Sequence, residues 1–296
     1  KKNAYQVGGI GFGITLIMIV FFNVFFDFQL MPNVKFFFLK NYSIVIVLFA
    51  ILLLGMLDDI FNIKYYIKFT LLIFLNLIAV ESQKYLIIDT ISISIVARTI
   101  ELGSYSIFFT LLCILLFTNA LNMFDGMNLQ SGIYLLTVFI FLIVKNIELN
   151  IFIPLAITLL LFLYYNLKGK IFLGDSGTMF ISSIVSYSLI AGYNHGKVLH
   201  ADEIFIFMIF PGLDMLRLFI IRIFNKKNPF EADRNHIHHI ILDCTKSIGK
   251  TTLIIFTMYF VPQLLYYCGI ANLFTIPIGI IAYLCTYVWF AKLSRA

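Results

Sequence analysis

Charged residues are scarce in this chain, and their scarcity excludes most soluble folds. Of its 296 residues, 12% are charged and 61% are hydrophobic. A soluble domain is closer to a quarter charged and half apolar. Apolar runs of membrane-spanning length recur from one end of the sequence to the other. The composition therefore predicts a polytopic membrane protein rather than a globular protein with a single anchor.

Cysteine is also scarce, and the four cysteines do not pair by motif. Three of them lie within apolar runs and no C-x-x-C sequence occurs, so we predict neither disulfides nor a thiolate zinc site. The net charge is +6, but no basic patch with interleaved aromatic residues lies outside the apolar segments. This argues against nucleic-acid binding, and an uneven distribution of Lys and Arg across a membrane explains the charge better.

Ten apolar segments predict an all-α polytopic architecture. Lipid offers no hydrogen-bond partner to an open backbone, so each segment is expected to be helical. The stretch 86–102 differs, because it is β-branched and partly alternating, and it predicts a short external strand or hairpin. The ten predicted spans are 8–26, 42–57, 66–80, 105–118, 129–145, 151–166, 177–193, 203–222, 252–269 and 272–291.

The alternation of ten spans places every second connection on one side of the membrane. If the N-terminus is cytoplasmic, the cytoplasmic loops are about 58–65, 119–128, 167–176 and 223–251. Most of the 21 Lys and Arg residues then lie on the cytoplasmic side, as the positive-inside rule requires. No soluble domain interrupts the pattern, so residues 1–296 are interpreted as one integral-membrane domain.

Four polar clusters interrupt the apolar sequence, and all four fall in the predicted cytoplasmic loops. Ionisable groups are costly at membrane depth, so their recurrence at one face of a bundle indicates a reaction site. The clusters are Asp58-Asp59, Asn119-x-x-Asn122-x-x-Asp125-Gly126, Gly174-Asp175-x-Gly177 and Arg234-x-His236-x-His238-His239.

Asp58 and Asp59 are adjacent carboxylates that repel each other unless cations or helix caps compensate them. The functional interpretation is a pair that handles a metal or a phosphate, with Lys68 a little further along as a phosphate contact. The alternative is that one of the two acids caps the next helix.

Asn119, Asn122 and Asp125 recur at intervals of three, so in a helix each neighbouring pair shares a face. Hard oxygen ligands on one face suit Mg²⁺, which bridges substrate phosphates. The alternative is that Asp125 and Gly126 form an ordinary turn, but a turn does not account for the two preceding amides.

Gly174 and Gly177 flank Asp175 where a predicted span begins. Glycine lets backbone approach a phosphate closely, and a helix N-terminus favours an anion. The alternative is that Asp175 is a helix cap.

His236, His238 and His239 favour a basic cluster that binds a phosphate or nucleotide, with Arg234 as a forked donor. A zinc site is the weaker interpretation, because H-x-H-H without cysteines is not a typical ligand pattern.

Two further features have structural interpretations. Asp214 and Arg217 lie three residues apart within one predicted span, where they are expected to form an intramembrane pair. The glycines from Gly8 to Gly13 are expected to support close helix packing rather than a nucleotide loop, because no strand precedes them.

The segments LGMLDD, NALNMFDG, FLGDSG and DRNHIHH together resemble the motifs of the polyprenyl-phosphate N-acetylhexosamine-1-phosphate transferase family. The resemblance holds in order and spacing over nearly the whole chain. This family includes bacterial undecaprenyl-phosphate GlcNAc-1-phosphate transferases, and phospho-MurNAc-pentapeptide translocase is a relative. The DR-x-H-x-HH form looks more like the sugar-phosphate branch. Asn128 departs from the pattern, since the family often has a second acid there, and this puts a second acidic role near Asp125 in doubt.

The resemblance implies a UDP-N-acetylhexosamine donor, by default UDP-N-acetylglucosamine, and undecaprenyl phosphate as the acceptor lipid. It implies release of UMP at the cytoplasmic face of a bacterial inner membrane, as the first step of a lipid-linked cell-envelope glycan. It also implies Mg²⁺, or Mn²⁺ in its place, and an eleventh span in the full-length protein. The implied residue roles are catalytic for Asp58, Asp59 and Asp125, metal-ligating for Asp175, Asn122 and Asp125, and substrate- or phosphate-binding for Lys68, Asn119, Arg234, His236, His238 and His239.

Two other classes of protein remain alternatives. A transporter or flippase also carries acids within a multi-span bundle, but it predicts a repeated half and a site near the midplane. The sequence shows no repeat, and its four polar clusters lie at one membrane face. An inactive assembly scaffold gains support from Asn128. The sequence does not select among UDP-sugars or glycan pathways, and a homodimer is left open.

Overall fold

The computed structural model describes residues 6–26, 41–228 and 235–294. Within these ranges the chain forms eleven α-helices and one two-stranded sheet. Each of the ten predicted spans overlaps one of the helices, which agrees with an all-α polytopic architecture. The helices are α1 (Gly8–Phe26), α2 (Tyr42–Phe61), α3 (Tyr65–Ser82), α4 (Ser106–Phe124), α5 (Gln130–Val144), α6 (Leu149–Leu167), α7 (Gly174–Asn194), α8 (Ala201–Phe224), α9 (Ile237–Thr245), α10 (Ile248–Tyr267) and α11 (Asn272–Leu293).

The helices extend further into the polar clusters than the apolar runs indicate. α2 continues through Asp59, α4 continues through Asn122, and α7 already begins at Gly174. Polar residues end an apolar run without ending the backbone hydrogen bonds of the helix, so hydropathy underestimates helix length here. Three predicted loops, at 58–65, 119–128 and 167–176, are accordingly shorter than expected.

The loop predicted at 223–251 contains an additional helix, α9. Its nine residues are too few to cross a membrane. Ile237 and Ile241, one turn apart, are both buried, so α9 lies with one apolar face against the bundle. The sequence does not predict this helix, because its apolar run is short and begins among histidines.

Helix α7 is the centre of the bundle. It packs against α1, α2 and α4, and nearly all of its residues are buried. Small side chains let the helix backbones approach closely. A Cβ on Gly55 of α2 would lie 2.4 Å from Cα of Ser176, and a Cβ on Gly9 of α1 would lie 2.5 Å from the backbone nitrogen of Gly177. This agrees with the packing role predicted for the glycines of α1.

The described part of the chain contains seven helices that are long and apolar enough to cross a membrane, namely α2, α3, α4, α6, α8, α10 and α11. Shorter apolar helical stretches occur in α1 and α5. Helix α7 does not belong to this set despite its 21 residues, because it is rich in serine and glycine. Its polar surface is shielded by the helices around it rather than exposed to lipid.

The hairpin predicted within 86–102 is confirmed. Strand β1 (Thr90–Ile93) pairs antiparallel with β2 (Arg98–Glu101). The buried carboxylate of Asp202, in the first turn of α8, accepts the backbone N–H of Ser94 at 3.0 Å and the amide of Asn272 at 3.0 Å. These contacts fix the hairpin to α8 and α11, at the end of the bundle opposite the four polar clusters.

Candidate active site

The N-terminus of α7 is capped by a carboxylate from another helix. Asp59, in the last turn of α2, accepts the backbone N–H of Asp175 at 2.8 Å and that of Ser176 at 3.1 Å. Gly174 has φ +72°, and a Cβ there would lie 2.8 Å from Oδ2 of Asp59. Glycine is therefore the residue that suits both this backbone conformation and the close carboxylate. The helix N-terminus predicted to receive a phosphate instead receives a side chain of the protein.

Lys68 of α3 bridges two carboxylates that come from different helices. Its Nζ lies 2.6 Å from Oδ2 of Asp58 and 3.0 Å from Oδ2 of Asp175. Asp58 is 4% exposed and also accepts the backbone N–H of Ile63 at 2.8 Å. A buried carboxylate without a partner is strongly destabilising, so the Lys68 ammonium allows the two acids to lie close together.

Asn122, near the end of α4, connects α4 to the acid cluster. Its amide nitrogen donates to Asp175 and, at 3.0 Å, to Oγ1 of Thr178. With the nitrogen engaged in this way, the amide oxygen of Asn122 is the atom that can meet another ligand. Asn119, one turn earlier, donates its amide to the backbone carbonyl of Leu115 at 2.8 Å.

Asp125 follows α4 directly and also faces the start of α7. It accepts hydrogen bonds from the hydroxyl of Ser131 and from the backbone of Gly174. Burial raises the pKa of Asp125 to about 6; the Ser131 hydrogen bond lowers it, and the charge of Asp175 raises it further. Two carboxylates, those of Asp59 and Asp125, thus converge on the first turn of α7.

The three histidines form a compact cluster where α9 begins. The rings of His236 and His238 stack with centroids 5.2 Å apart, and those of His238 and His239 lie 4.2 Å apart. Burial lowers the pKa of His238 to about 3, and the neighbouring histidines act in the same direction. His238 is therefore neutral at pH 7. It acts as a hydrogen-bonding group and does not carry the positive charge expected of the histidine cluster.

Asp214 and Arg217 form the ion pair that the sequence predicts, with 2.7 Å between Nη2 and Oδ1. The other oxygen of Asp214 lies 3.1 Å from Nδ1 of His236. Ligand atoms of Asp214, His236 and His238 lie within 4.8 Å of one another, which is close enough for a metal ion. Asp214 also accepts hydrogen bonds from the hydroxyl of Tyr283 and from the backbone of Ile237, so we interpret the cluster as a hydrogen-bonded ion pair.

A cavity of about 270 Å³ is bordered by these groups. Lys68 and Asn122, which both border the cavity, also contact Asp175. The structure thus brings residues of the second and fourth polar clusters to the cavity wall, together with Lys68. Asp58 and Asp175 contact Lys68 from behind that wall. The predicted site residues that line the cavity are Lys68, Asn119, Asn122, His236, His238 and His239.

Arg222 lines the same cavity, although none of the four polar clusters in the sequence contains it. In the sequence it contributes only to the excess of basic residues on the predicted cytoplasmic side. Asp214, Leu218 and Arg222 are spaced by four residues and are all buried, so they share the inward face of α8. That spacing is the signal that could have identified Arg222. Arg234, the predicted forked donor, lies outside the described residues.

The donor set around Asp175 fits Mg²⁺. The carboxylates of Asp175 and Asp125 and the amide oxygen of Asn122 are hard oxygen donors of the kind that Mg²⁺ binds. Both oxygens of Asp58 accept hydrogen bonds, from Lys68 and from the backbone of Ile63. Both oxygens of Asp175 are likewise engaged, by Lys68 and by the amide of Asn122.

Comparison with known proteins places the chain in a defined group. Residues 41–193 match the family described as glycosyl transferase family 4. A Thermotoga maritima protein named undecaprenyl-phosphate alpha-N-acetylglucosaminyl 1-phosphate transferase is 29% identical over 256 residues, which cover 86% of this chain and 72% of that protein. A Bacillus subtilis protein named as a probable undecaprenyl-phosphate N-acetylglucosaminyl 1-phosphate transferase is 28% identical over 227 residues, covering 74% of this chain and 63% of the relative.

A similarity over a shorter part of the chain extends to a second kind of named transferase. The phospho-N-acetylmuramoyl-pentapeptide-transferase of Thermotoga maritima is 29% identical over 161 residues, covering 49% of this chain and 51% of that protein. The chain thus spans about half to three-quarters of the length of these three relatives. The family match at 41–193 contains the first three polar clusters, whereas the histidine cluster lies beyond it.

Proposed function

Because the chain belongs to glycosyl transferase family 4, we propose that it transfers an N-acetylhexosamine 1-phosphate from a UDP-sugar to undecaprenyl phosphate. The default sugar is N-acetylglucosamine, since two of the relatives carry that sugar in their names. The observation that carries the proposal is the position of Lys68. Its ammonium lies between Asp58 and Asp175 and borders the cavity, so acids from two helices hold a positive charge at the cavity wall.

The proposed reaction is a phosphoryl transfer. An oxygen of the lipid phosphate forms a bond to the β-phosphorus of the UDP-sugar. The bond from that phosphorus to the oxygen bridging the two phosphates breaks, and UMP leaves with the bonding electrons. The products are UMP and a lipid diphosphate that carries the sugar. Phosphoryl transfer depends mainly on positioning and on neutralising charge, and the site offers groups for both.

Lys68 and Arg222 supply the positive charge that the diphosphate requires. Both line the cavity, and a cation in a partly buried site stabilises developing negative charge more strongly than one in water. His238 is neutral and buried, so it contributes a hydrogen bond rather than a charge. Asn119 offers an amide at the same wall.

The two adjacent acids have separate roles in this scheme. Asp58 orients Lys68 through a 2.6 Å contact. Asp59 orients the first turn of α7, and with it Asp175, through two backbone hydrogen bonds. A phosphate monoester has its second pKa near about 6, so the lipid phosphate is largely a dianion at pH 7 and needs no general base. Positioning is therefore the role we propose for both acids.

Mg²⁺, held by Asp175, Asp125 and Asn122, would neutralise the diphosphate and polarise the phosphorus that is attacked. The gathering of polar side chains at one end of the bundle favours this chemistry over transport, which needs ionisable groups near the membrane midplane. By the positive-inside rule we place that end at the cytoplasmic face of the bacterial inner membrane.

The experiment that tests the proposal is UMP release by the purified protein in detergent. UDP-N-acetylglucosamine and undecaprenyl phosphate are supplied together, and each is omitted in turn, with and without Mg²⁺. We expect release that requires both the lipid and the metal. A panel of UDP-sugars then identifies the preferred donor. Absence of release across the whole panel, from protein that is monodisperse in size-exclusion chromatography, would contradict the proposed function.

A further inference from the structure

Asp214 is a buried acid that connects three parts of the structure. It lies on α8 and is 3% exposed. From α8 itself, Arg217 contacts its Oδ1 at 2.7 Å, and from α11 the hydroxyl of Tyr283 donates to the same oxygen at 2.9 Å. From the start of α9, Nδ1 of His236 lies 3.1 Å from Oδ2 and the backbone N–H of Ile237 lies 3.3 Å from Oδ1.

These contacts attach the histidine segment to the bundle. Arg217 also donates to the backbone carbonyl of Asn235 at 2.7 Å and to the hydroxyl of Tyr283 at 2.9 Å. The residues just before α9 are therefore held by both members of the ion pair. A buried carboxylate persists only when its acceptor sites are satisfied, and here the satisfying groups include a residue of the cavity wall, His236.

The carboxylate of Asp214 also constrains the chemistry of His236. A carboxylate accepts hydrogen bonds and does not donate them, so Nδ1 of His236 carries the proton in this contact. The other ring nitrogen, Nε2, is then the atom that can meet a ligand. A histidine ring whose tautomer and orientation are set by a carboxylate is a recurring arrangement at reaction sites.

We propose that Asp214 is a positioning residue, which fixes the place and the tautomer of His236 at the cavity wall. This inference rests on the proposed phosphoryl transfer, because it assigns to His236 a contact with the transferred group or its phosphates. Asp214 itself touches no substrate. Its charge and its place on α8 determine where His236 lies and which nitrogen it presents.

The test is a double-mutant cycle of Asp214→Asn and His236→Ala, measured by UMP release. Asn keeps the size of the side chain but removes the charge. We expect Asp214→Asn to lower kcat by roughly 10-fold or more, with a smaller change in KM, as for other groups that orient a histidine. In the His236→Ala background the same substitution should lower kcat by less than about twofold, because its effect passes through the missing ring.

Asp202→Asn is the matched control. Asp202 is also a buried acid of α8, at 6% exposure, but it binds the hairpin at the opposite end. Its substitution should leave kcat within about twofold of the wild type. The proposal is overturned if Asp214→Asn also stays within that range, or if it lowers kcat by the same factor with and without His236. If Asp214→Asn is not recovered as folded protein, Asp214→Glu takes its place in the cycle, with the same two criteria.

A second measurement does not depend on activity. Ile237 is 0% exposed, so Ile237→Cys should react slowly with a maleimide in a chain whose four native cysteines are replaced by alanine. Removal of the Asp214 charge should speed that labelling several-fold. Unchanged labelling contradicts the positioning role even when Asp214→Asn lowers UMP release. The two proposals can also fail separately. If the wild-type protein releases no UMP but removal of the Asp214 charge still speeds labelling, the transferase function is refuted and the anchoring of His236 by Asp214 is supported.

Discussion

Asp59 accepts the backbone N–H of Asp175 at 2.8 Å, although 116 residues separate the two in sequence. The contact joins the last turn of α2 to the first turn of α7. It aligns the N-terminus of α7, which is the positive end of its dipole, with a negative side chain. It also sets the orientation in which Asp175 meets Lys68 and Asn122. One capping contact thus determines where the central acid of the site lies.

Asp59→Ala should destabilise the protein. It removes the acceptor of two backbone hydrogen bonds at the start of a buried helix, and loss of a helix cap costs about 1 kcal/mol. We expect the thermal unfolding midpoint in detergent to fall by about 1–3 °C and UMP release to fall with it. Asp89→Ala is the control, since Asp89 is exposed beside the hairpin. Equal midpoints for the two variants would contradict the capping role.

Lys68→Ala should abolish most of the activity. It removes the ammonium that Asp58 and Asp175 hold at the cavity wall, and loss of one charge-stabilising group typically costs about 100-fold or more in kcat. The control is Lys64→Ala, because Lys64 is exposed and lies one turn away. The measurement is UMP release at saturating substrates. Comparable kcat values for the two variants would show that Lys68 does not meet the diphosphate.

Asp175→Asn should abolish metal-dependent turnover while the protein remains folded. The amide keeps the shape of the side chain but loses the charge that a divalent cation requires. Removal of Mg²⁺ from the wild type with a chelator should have the same effect, reversed by added Mg²⁺. The measurement is UMP release against Mg²⁺ concentration, with size-exclusion chromatography as the check on folding. Near-normal turnover of the variant would refute the assignment of Asp175 as a metal ligand.

Gly126→Ala should displace the histidine cluster. A Cβ at Gly126 would lie 2.0 Å from Nε2 of His238, and the ring is too buried to move aside freely. Misplacement of a site group by about 1 Å can cost 10- to 100-fold in rate, and we expect a loss of that order in UMP release. Gly249→Ala is the matched control, because a Cβ there meets nothing within 4 Å. Full activity of Gly126→Ala would show that the position of His238 does not matter for turnover.

Much of this architecture follows from local sequence patterns. Apolar runs predict the ten membrane segments, and a β-branched stretch predicts the hairpin, because both signals depend on residues close together in the chain. The convergence of Asn122 and Asp175 was also predictable, since alternating spans return successive loops to the same side. Helix α9 was missed, because nine residues among histidines carry too weak a periodic signal.

The partners of the individual charges were decided by tertiary structure. The adjacent acids Asp58 and Asp59 look equivalent in sequence, yet one holds Lys68 and the other caps α7. Which direction each side chain takes depends on how closely α2 packs against α7, and that distance is set by Gly55 and Ser176.

The charge state of the histidine cluster is likewise a property of the packed bundle. His238 belongs to a motif that suggests a basic patch, but burial beside two other histidines keeps it neutral. The shift of a pKa by desolvation depends on all the groups that surround the side chain, and these neighbours cannot be read from the sequence. The sequence by itself thus determined the membrane class, the order of the helices and the composition of the polar clusters. Only the folded chain decided which acid binds which cation and which histidine is neutral, because those outcomes depend on contacts between residues far apart in sequence.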